Sequence, residues 1–245
     1  IGTPALRAAI ADRANVEPAN VIVATGAKQV LADLFLATLN EGENVVVPTP
    51  YWTSYSDIIA LSGGQSVLVP CEAEAGFKMT PDQLEAAITP RTRWLLLNSP
   101  SNPSGAVYSA VELRALGAVL ARHPHVWIAS DEIYDLISCA PFPSFRTACP
   151  DLADRTIVIN GVSKAHAMTG WRIGWGIAPP ELIQAMIAVQ GQITSGACSI
   201  SQAAALEAVT GDQSHIAERQ DAFRDRRDFV VQTLNAIPGI DCTMP

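Results

Sequence analysis

The sequence predicts an α/β fold with a mostly parallel sheet. Three observations predict it. Short apolar, β-branched runs alternate along the chain with longer segments of helical period. Capping and turn residues punctuate the junctions between them. Polar residues that a core would not choose gather directly after several of the strands, where ligands collect in such sheets. With helices between strands covering both faces, the expected architecture is a three-layer sandwich.

The bulk numbers agree. A chain of 245 residues holds one large domain, or one domain and part of another, and 49% hydrophobic against 16% charged residues provides a sizeable core. A net charge of −8 argues against nucleic acid or an anionic membrane as partner, because either wants a basic face. The five cysteines (Cys71, Cys139, Cys149, Cys198 and Cys242) are odd in number and lack a C-x-x-C spacing. They are expected to be reduced, small, buried residues of a cytoplasmic protein. No apolar run is long enough to span a bilayer.

In order, Thr3-Pro4 opens a helix, with Thr3 as cap and Pro4 at the first helical position. Val21 to Ala24 is a short strand, and Thr25-Gly26-Ala27-Lys28-Gln29 turns it into a helix with Leu31, Leu34 and Phe35 on its apolar face. Asn44 to Val47 is a strand ending in Pro48-Thr49-Pro50-Tyr51-Trp52, followed by a helix that Gly63-Gly64 stops. Ser66 to Val69 and Arg93 to Leu97 are strands, with a helix opened by Thr80-Pro81 between them. The loop Asn98-Ser99-Pro100-Ser101-Asn102-Pro103-Ser104-Gly105 is too rich in proline and glycine for regular structure. Ser109 and Glu112 make a capping box for the next helix. Val126 to Ala129 is a strand running into Ser130-Asp131-Glu132-Ile133-Tyr134. Thr156 to Ile159 and Ile173 to Ala178 flank the segment with Ser163, Lys164 and Arg172. Helices over 181–192, 201–210 and about 216–234 follow, the last a solvated charged face with Arg219, Arg224, Arg226 and Arg227. The final residues, Gly239 to Pro245, read as the opening of a further strand.

Taken singly, the polar residues after the strands have ordinary explanations. Lys164 alone is a loop lysine, Asp131 a helix cap, Asn102 a turn residue, and Trp52 and Tyr134 are packing aromatics. Lys28 alone is an exposed first-turn lysine, and His166 beside Lys164 is expected to pack rather than to transfer protons. Together they match the needs of one cofactor, pyridoxal 5'-phosphate. Lys164 can form an imine with it, and Asp131 can hold its ring nitrogen protonated. Asn102 and Tyr134 can donate to its phenolic oxygen, and Trp52 offers a stacking face. Gly26 and Ala27 bring backbone N–H groups at a helix start to its phosphate, and Ser163 and Arg172 complete that cup.

Gly-Ala-Lys-Gln, Pro-Tyr-Trp, Asn-Ser-Pro-Ser-Asn-Pro-Ser-Gly, Asp-Glu-Ile-Tyr and Ser-Lys-Ala-His-Ala-Met-Thr-Gly-Trp-Arg-Ile-Gly occur in one order across nearly the whole chain. Together they resemble the class I/II aminotransferases of fold type I, and most of all the bacterial aspartate aminotransferases. The resemblance implies that Lys164 forms the Schiff base and shuttles the proton, with Asp131, Tyr134, Asn102, Trp52, Ser163 and Arg172 in the roles just given. It implies that Lys28 meets the distal carboxylate of a dicarboxylic substrate. It also implies amino acid and 2-oxo acid substrates in two half-reactions, and a homodimer. The family has an amino-terminal arm and a carboxyl-terminal small domain, neither recognisable here. Residues 1–235 are expected to be the cofactor-binding large domain and 236–245 the start of the small one, so that the chain is truncated at both ends. Other readings are a fold type I relative (an aromatic or prephenate aminotransferase, or a C–S lyase) and a non-catalytic cofactor-binding sensor domain.

Overall fold

The computed structural model describes residues 1–245. Its strands are β1 (Val21–Ala24), β2 (Asn44–Thr49), β3 (Gln65–Pro70), β4 (Thr92–Asn98), β5 (Trp127–Asp131), β6 (Thr156–Gly161) and β7 (Gly174–Ile177). They form one sheet in the order β1-β7-β6-β5-β4-β2-β3, parallel except for the two pairings that β7 makes. Because β7 runs against both neighbours, its first residue lies at the edge where the other strands end. That edge carries the candidate site.

The helices are α1 (Pro4–Ala14), α2 (Ala27–Thr38), α3 (Ser54–Leu61), α4 (Pro81–Ala87), α5 (Ala110–Ala121), α6 (Phe145–Ala148), α7 (Pro180–Ile193), α8 (Ser199–Thr210) and α9 (Ser214–Asn235). The expected caps are in place. Thr3 Oγ1 accepts from the Leu6 N–H, and Ser109 and Glu112 exchange side-chain to backbone bonds at 3.3 and 2.7 Å. The two-residue period of the strands sorts their side chains between the layers. Trp94 and Leu96 of β4 enter a core shared with α2, α3 and α7, whereas Leu95 and Leu97 enter one shared with α5 and α6. A third cluster packs α1 and α8 against Val21, Val23, Val158 and Trp175. The result is the expected three-layer sandwich. Trp94 is fully buried, and its indole N–H donates to Thr38 Oγ1 at 3.0 Å, so its burial leaves no orphaned donor.

Three expectations need correction. No strand follows β7 in the chain: residues 239–245 pair with no strand, and Asn235 instead holds Cys242 through its own amide, at 3.0 and 2.7 Å. Of the cysteines only Cys71 and Cys149 are buried, while Cys139 and Cys198 are exposed and Cys242 is intermediate. α9 does present mostly solvated residues, with Ile216 and Val231 buried, but Arg219 is no free surface cation, since it donates to the Ala165 carbonyl. The short helix α6 was not foreseen, because four residues give no periodicity to read.

Candidate active site

At the common edge of the sheet, the residues after five strands and before β7 surround one cavity of about 170 Å³. Nine of the ten candidates line it: Ala27, Lys28, Trp52, Asn102, Asp131, Tyr134, Ser163, Lys164 and Arg172. Gly26 lies just behind, against the Arg172 guanidinium. Each side chain arrives through its strand. Asp131 ends β5 in register with Asn98 of β4, and Lys164 stands three residues beyond β6. Arg172 ends the short turn Thr169–Trp171, in a left-handed conformation (φ 56°), one residue before Ile173 leads into β7.

Asp131 is the electrostatic centre. It is 3% exposed, accepting from the Tyr55 hydroxyl at 2.7 Å and from the Ile133 N–H at 3.2 Å. Burial pushes its carboxyl up to about 6, and the two hydrogen bonds and the Lys164 ammonium limit that rise. Lys164 Nζ lies over the Tyr134 ring, 5.3 Å from its centroid. Asn98 pins the neighbouring loop: its Nδ2 donates to the Asp131 carbonyl at 3.0 Å, and its Oδ1 accepts from the Asn102 N–H at 2.7 Å. Trp52 meets Tyr55 edge-on at 5.4 Å, and the exposed Lys28 ammonium sits 4.8 Å over its indole.

The same cavity also has features that suit an anion. Ala27 and Lys28 open α2, so their N–H groups have no intrahelical acceptor and carry the positive end of the helix dipole. Gly174 of β7 lets this helix start approach closely, because a Cβ there would collide with the Ala27 nitrogen. Arg172 supplies the formal charge, its Nη1 fixed to the Thr169 carbonyl at 2.9 Å.

The model of the family described as aminotransferase class I and II matches residues 1–245. This chain belongs to that family. The crystal structure of the aspartate aminotransferase from Rhizobium meliloti is 52% identical, with a TM-score of 0.98 over 100% of this chain. The aspartate/prephenate aminotransferase of Cereibacter sphaeroides is 51% identical, again over 100% of the chain. The Thermus thermophilus aspartate aminotransferase solved with maleate is 39% identical, with a TM-score of 0.92 over 96% of the chain. The chain spans 63% of the length of each of these relatives.

Class I and II aminotransferases are pyridoxal-phosphate enzymes. The cavity fits that group on three counts. It joins a primary amine, a buried carboxyl and an anion cradle in one space. The cradle has room only because residue 26 is glycine, with φ at +85°, where a Cβ would drive into the Arg172 guanidinium. The carboxyl is held in place by two donors that leave it facing the cavity. Gly26→Ala is therefore expected to weaken cofactor affinity about 10- to 100-fold, the effect of displacing one charged hydrogen-bonding group. Titration of the visible absorption with cofactor checks this; an unchanged affinity would show that Arg172 is not part of the cradle.

Sequence reasoning missed Tyr55, Asn98 and Thr169, which also line the cavity. Tyr55 sits in the first turn of α3, where an apolar period predicts a core aromatic, and nothing local reveals that its hydroxyl reaches Asp131. Asn98 was readable: a polar amide closing a buried strand is the same signal that marked Asp131. His166 lies off the cavity, packed against the His215 ring at 5.6 Å, as expected of a packing residue.

Burial of acids sets the pH response of the cofactor-free chain. Burial raises Asp131 from 3.8 to about 6, Glu132 from 4.5 to about 7, and Asp33 from 3.8 to about 7. Between the unfolded and folded values the folded state binds more protons, so stability falls as pH rises from roughly 4 to 7. His166, lowered to about 4 by burial first, works the other way between about 4 and 6.5, against these acids and Asp135, which burial also raises. Urea unfolding is expected to give a lower midpoint at pH 7.5 than at pH 5, with Glu132→Gln flattening the slope. A midpoint that rises over this range would contradict the account.

Proposed function

We propose that this chain carries the cofactor site of an aminotransferase that passes an amino group from an L-amino acid, aspartate foremost, to a 2-oxo acid, 2-oxoglutarate foremost. The observation that carries the reading is a single cavity lined by Lys164, the buried Asp131, Arg172 and the first turn of α2. When bound, pyridoxal phosphate supplies an aldehyde carbon that exchanges amines and a ring that draws electrons from the substrate's Cα.

The chain's own residues do the rest. Lys164 Nζ is the covalent attachment point of the cofactor. The free Lys164 amine would be the base that takes the proton from the substrate's Cα and delivers it to the carbon two atoms away. Asp131, oriented by Tyr55 and the Ile133 N–H, keeps a proton on the ring nitrogen. Tyr134 and Asn102 donate to the phenolic oxygen, and Trp52 covers one face of the ring. Gly26, Ala27, Ser163 and Arg172 hold the phosphate. An amino donor and then an oxo acid acceptor would use these same residues in turn, which is a ping-pong cycle.

Lys28 supports the aspartate reading. It is a cation at the rim of the cavity, and the Thermus thermophilus relative was solved with a four-carbon dicarboxylate, maleate. Lys28→Ala is expected to raise KM for aspartate about tenfold while leaving an aromatic amino acid nearly unaffected. Equal losses on both substrates would favour an aromatic or prephenate specificity, which the Cereibacter sphaeroides relative's name makes the second reading.

Residues 1–235 serve in this reading as the large domain and 236–245 as the start of a small one. Since the relatives are longer, the 245 residues alone are expected to bind cofactor but to turn over poorly. The working protein is a cytoplasmic homodimer in the same reading, and no helix here is long and apolar enough to cross a membrane. The deciding experiment adds pyridoxal phosphate to the purified chain and records its visible spectrum. A new absorption band supports the site, and a folded chain that stays colourless would overturn it. Measuring oxo acid against ammonia released from aspartate and cystathionine separates a transaminase from a lyase.

A further inference from the structure

α9 is largely solvated, yet one of its faces turns inward. His215, Ile216, Arg219 and Gln220 point toward the sheet edge, whereas Ala217, Glu218 and Asp221 are exposed. Two of these residues reach the backbone of the site loops. Arg219 Nη1 donates to the Ala165 carbonyl at 2.8 Å, and Ala165 directly follows Lys164. Gln220 Nε2 donates to the Ser138 carbonyl at 3.2 Å, and Ser138 closes the 3₁₀ turn Asp135–Ile137 that Tyr134 opens. Ile216 is buried, and the His215 ring lies 5.6 Å from that of His166 in the same loop as Ala165.

We infer that Arg219 and Gln220 are positioning residues for the cofactor site, fixing from one turn of α9 the two loops that carry Lys164 and Tyr134. The inference rests on the function proposed above. The loop after β6 needs such a tether. From Ser163 to Met168 it has neither helix nor strand, Ala167 is left-handed at φ 52°, and its own bonds are short-range: Ala167 N–H to the Lys164 carbonyl, Met168 N–H to the Val162 carbonyl and Thr169 Oγ1 to the Ser163 carbonyl. Val162 and Ala165 anchor the loop by burial, but a backbone with only short-range bonds around Lys164 still samples several arrangements, and an amine that must serve two carbons in turn tolerates little displacement. The guanidinium suits the task because it donates in a fixed plane. Adjacent side chains on one helix gripping two loops also keep Lys164 and Tyr134 in step, whatever moves the helix.

The test uses two readouts. In the cofactor-free chain, amide hydrogen exchange is followed in segments 162–169 and 133–139, whose reporters include the Ala167, Met168 and Ile137 N–H groups. Arg219→Met is expected to speed exchange in 162–169 about tenfold and to leave 133–139 nearly unchanged; Gln220→Ala is expected to do the reverse. Arg219→Lys should restore most of the protection. In the loaded chain, each variant is expected to lower the visible circular dichroism per bound cofactor, a measure of how firmly the ring is held. The inference is overturned if neither segment loosens, or if both variants loosen both segments along with all of α9, as simple undocking would. If the unsubstituted chain takes up no pyridoxal phosphate, the functional reading fails, and the exchange result still decides whether α9 fixes the loops.

Discussion

Replacing Lys164 by alanine is expected to abolish the covalent hold on the cofactor and to reduce transamination by about 10⁴-fold or more. Two separate losses combine. The attachment through Nζ disappears, so cofactor stays only by its phosphate and ring contacts. The base at the substrate's Cα also disappears, and no other amine stands in its place: Lys28, the other lysine of the cavity, sits at the rim over Trp52. The fold should tolerate the change, because Lys164 lies in a loop beyond β6 and not in any of the three core clusters. The checks are the rate of the half-reaction with aspartate and the visible spectrum with cofactor. Lys164→Arg keeps the positive charge without a free amine, so it should be as inactive as the alanine variant. A Lys164→Ala chain retaining a tenth of the parent rate would place the amine elsewhere.

Asp131→Asn is expected to lower the rate about 10²- to 10³-fold, as loss of one preorganised charge does in other active sites. Its effect on stability should have the opposite sign. The carboxyl is buried with two donors and pushed up to about 6, so above that pH the cofactor-free chain carries a charge it would rather not hold. Asparagine can turn its oxygen to the Ile133 N–H and its amide nitrogen to the Tyr55 hydroxyl, which can also accept, and it removes the charge. The cofactor-free variant should therefore melt at or above the parent temperature at pH 7.5, with the advantage lost near pH 5. Lower activity with equal or higher stability is the signature of a group kept for function. Parallel losses of both would make Asp131 a structural residue instead.

Most of the fold was legible because its signals are local. Strand cores such as Val21–Ala24 and caps such as Thr3 and Ser109 depend on a few neighbouring residues, and the structure places them as the sequence predicts. Strand order was not legible. Nothing within Gly174–Ile177 says that it inserts between β1 and β6 and reverses direction, and that reversal is what brings Arg172 to the shared edge. The candidate site was legible where a polar residue interrupts an apolar strand end, as with Asp131 and Lys164. It was not where a residue's role depends on a partner far along the chain. Tyr55 lies 76 positions from Asp131, and Arg219 lies 54 positions from Ala165. Both look, in sequence, like the helix residues they also are.

The central claim is that Lys164 is where this chain holds its cofactor. Borohydride reduction of the chain loaded with pyridoxal phosphate, followed by peptide mapping, tests it most directly, because reduction makes a carbon–nitrogen link permanent. The account predicts one modified residue, Lys164, with Lys28 and Lys78 unlabelled. Stoichiometric label on another lysine, or none on a chain that has bound the cofactor, would contradict it.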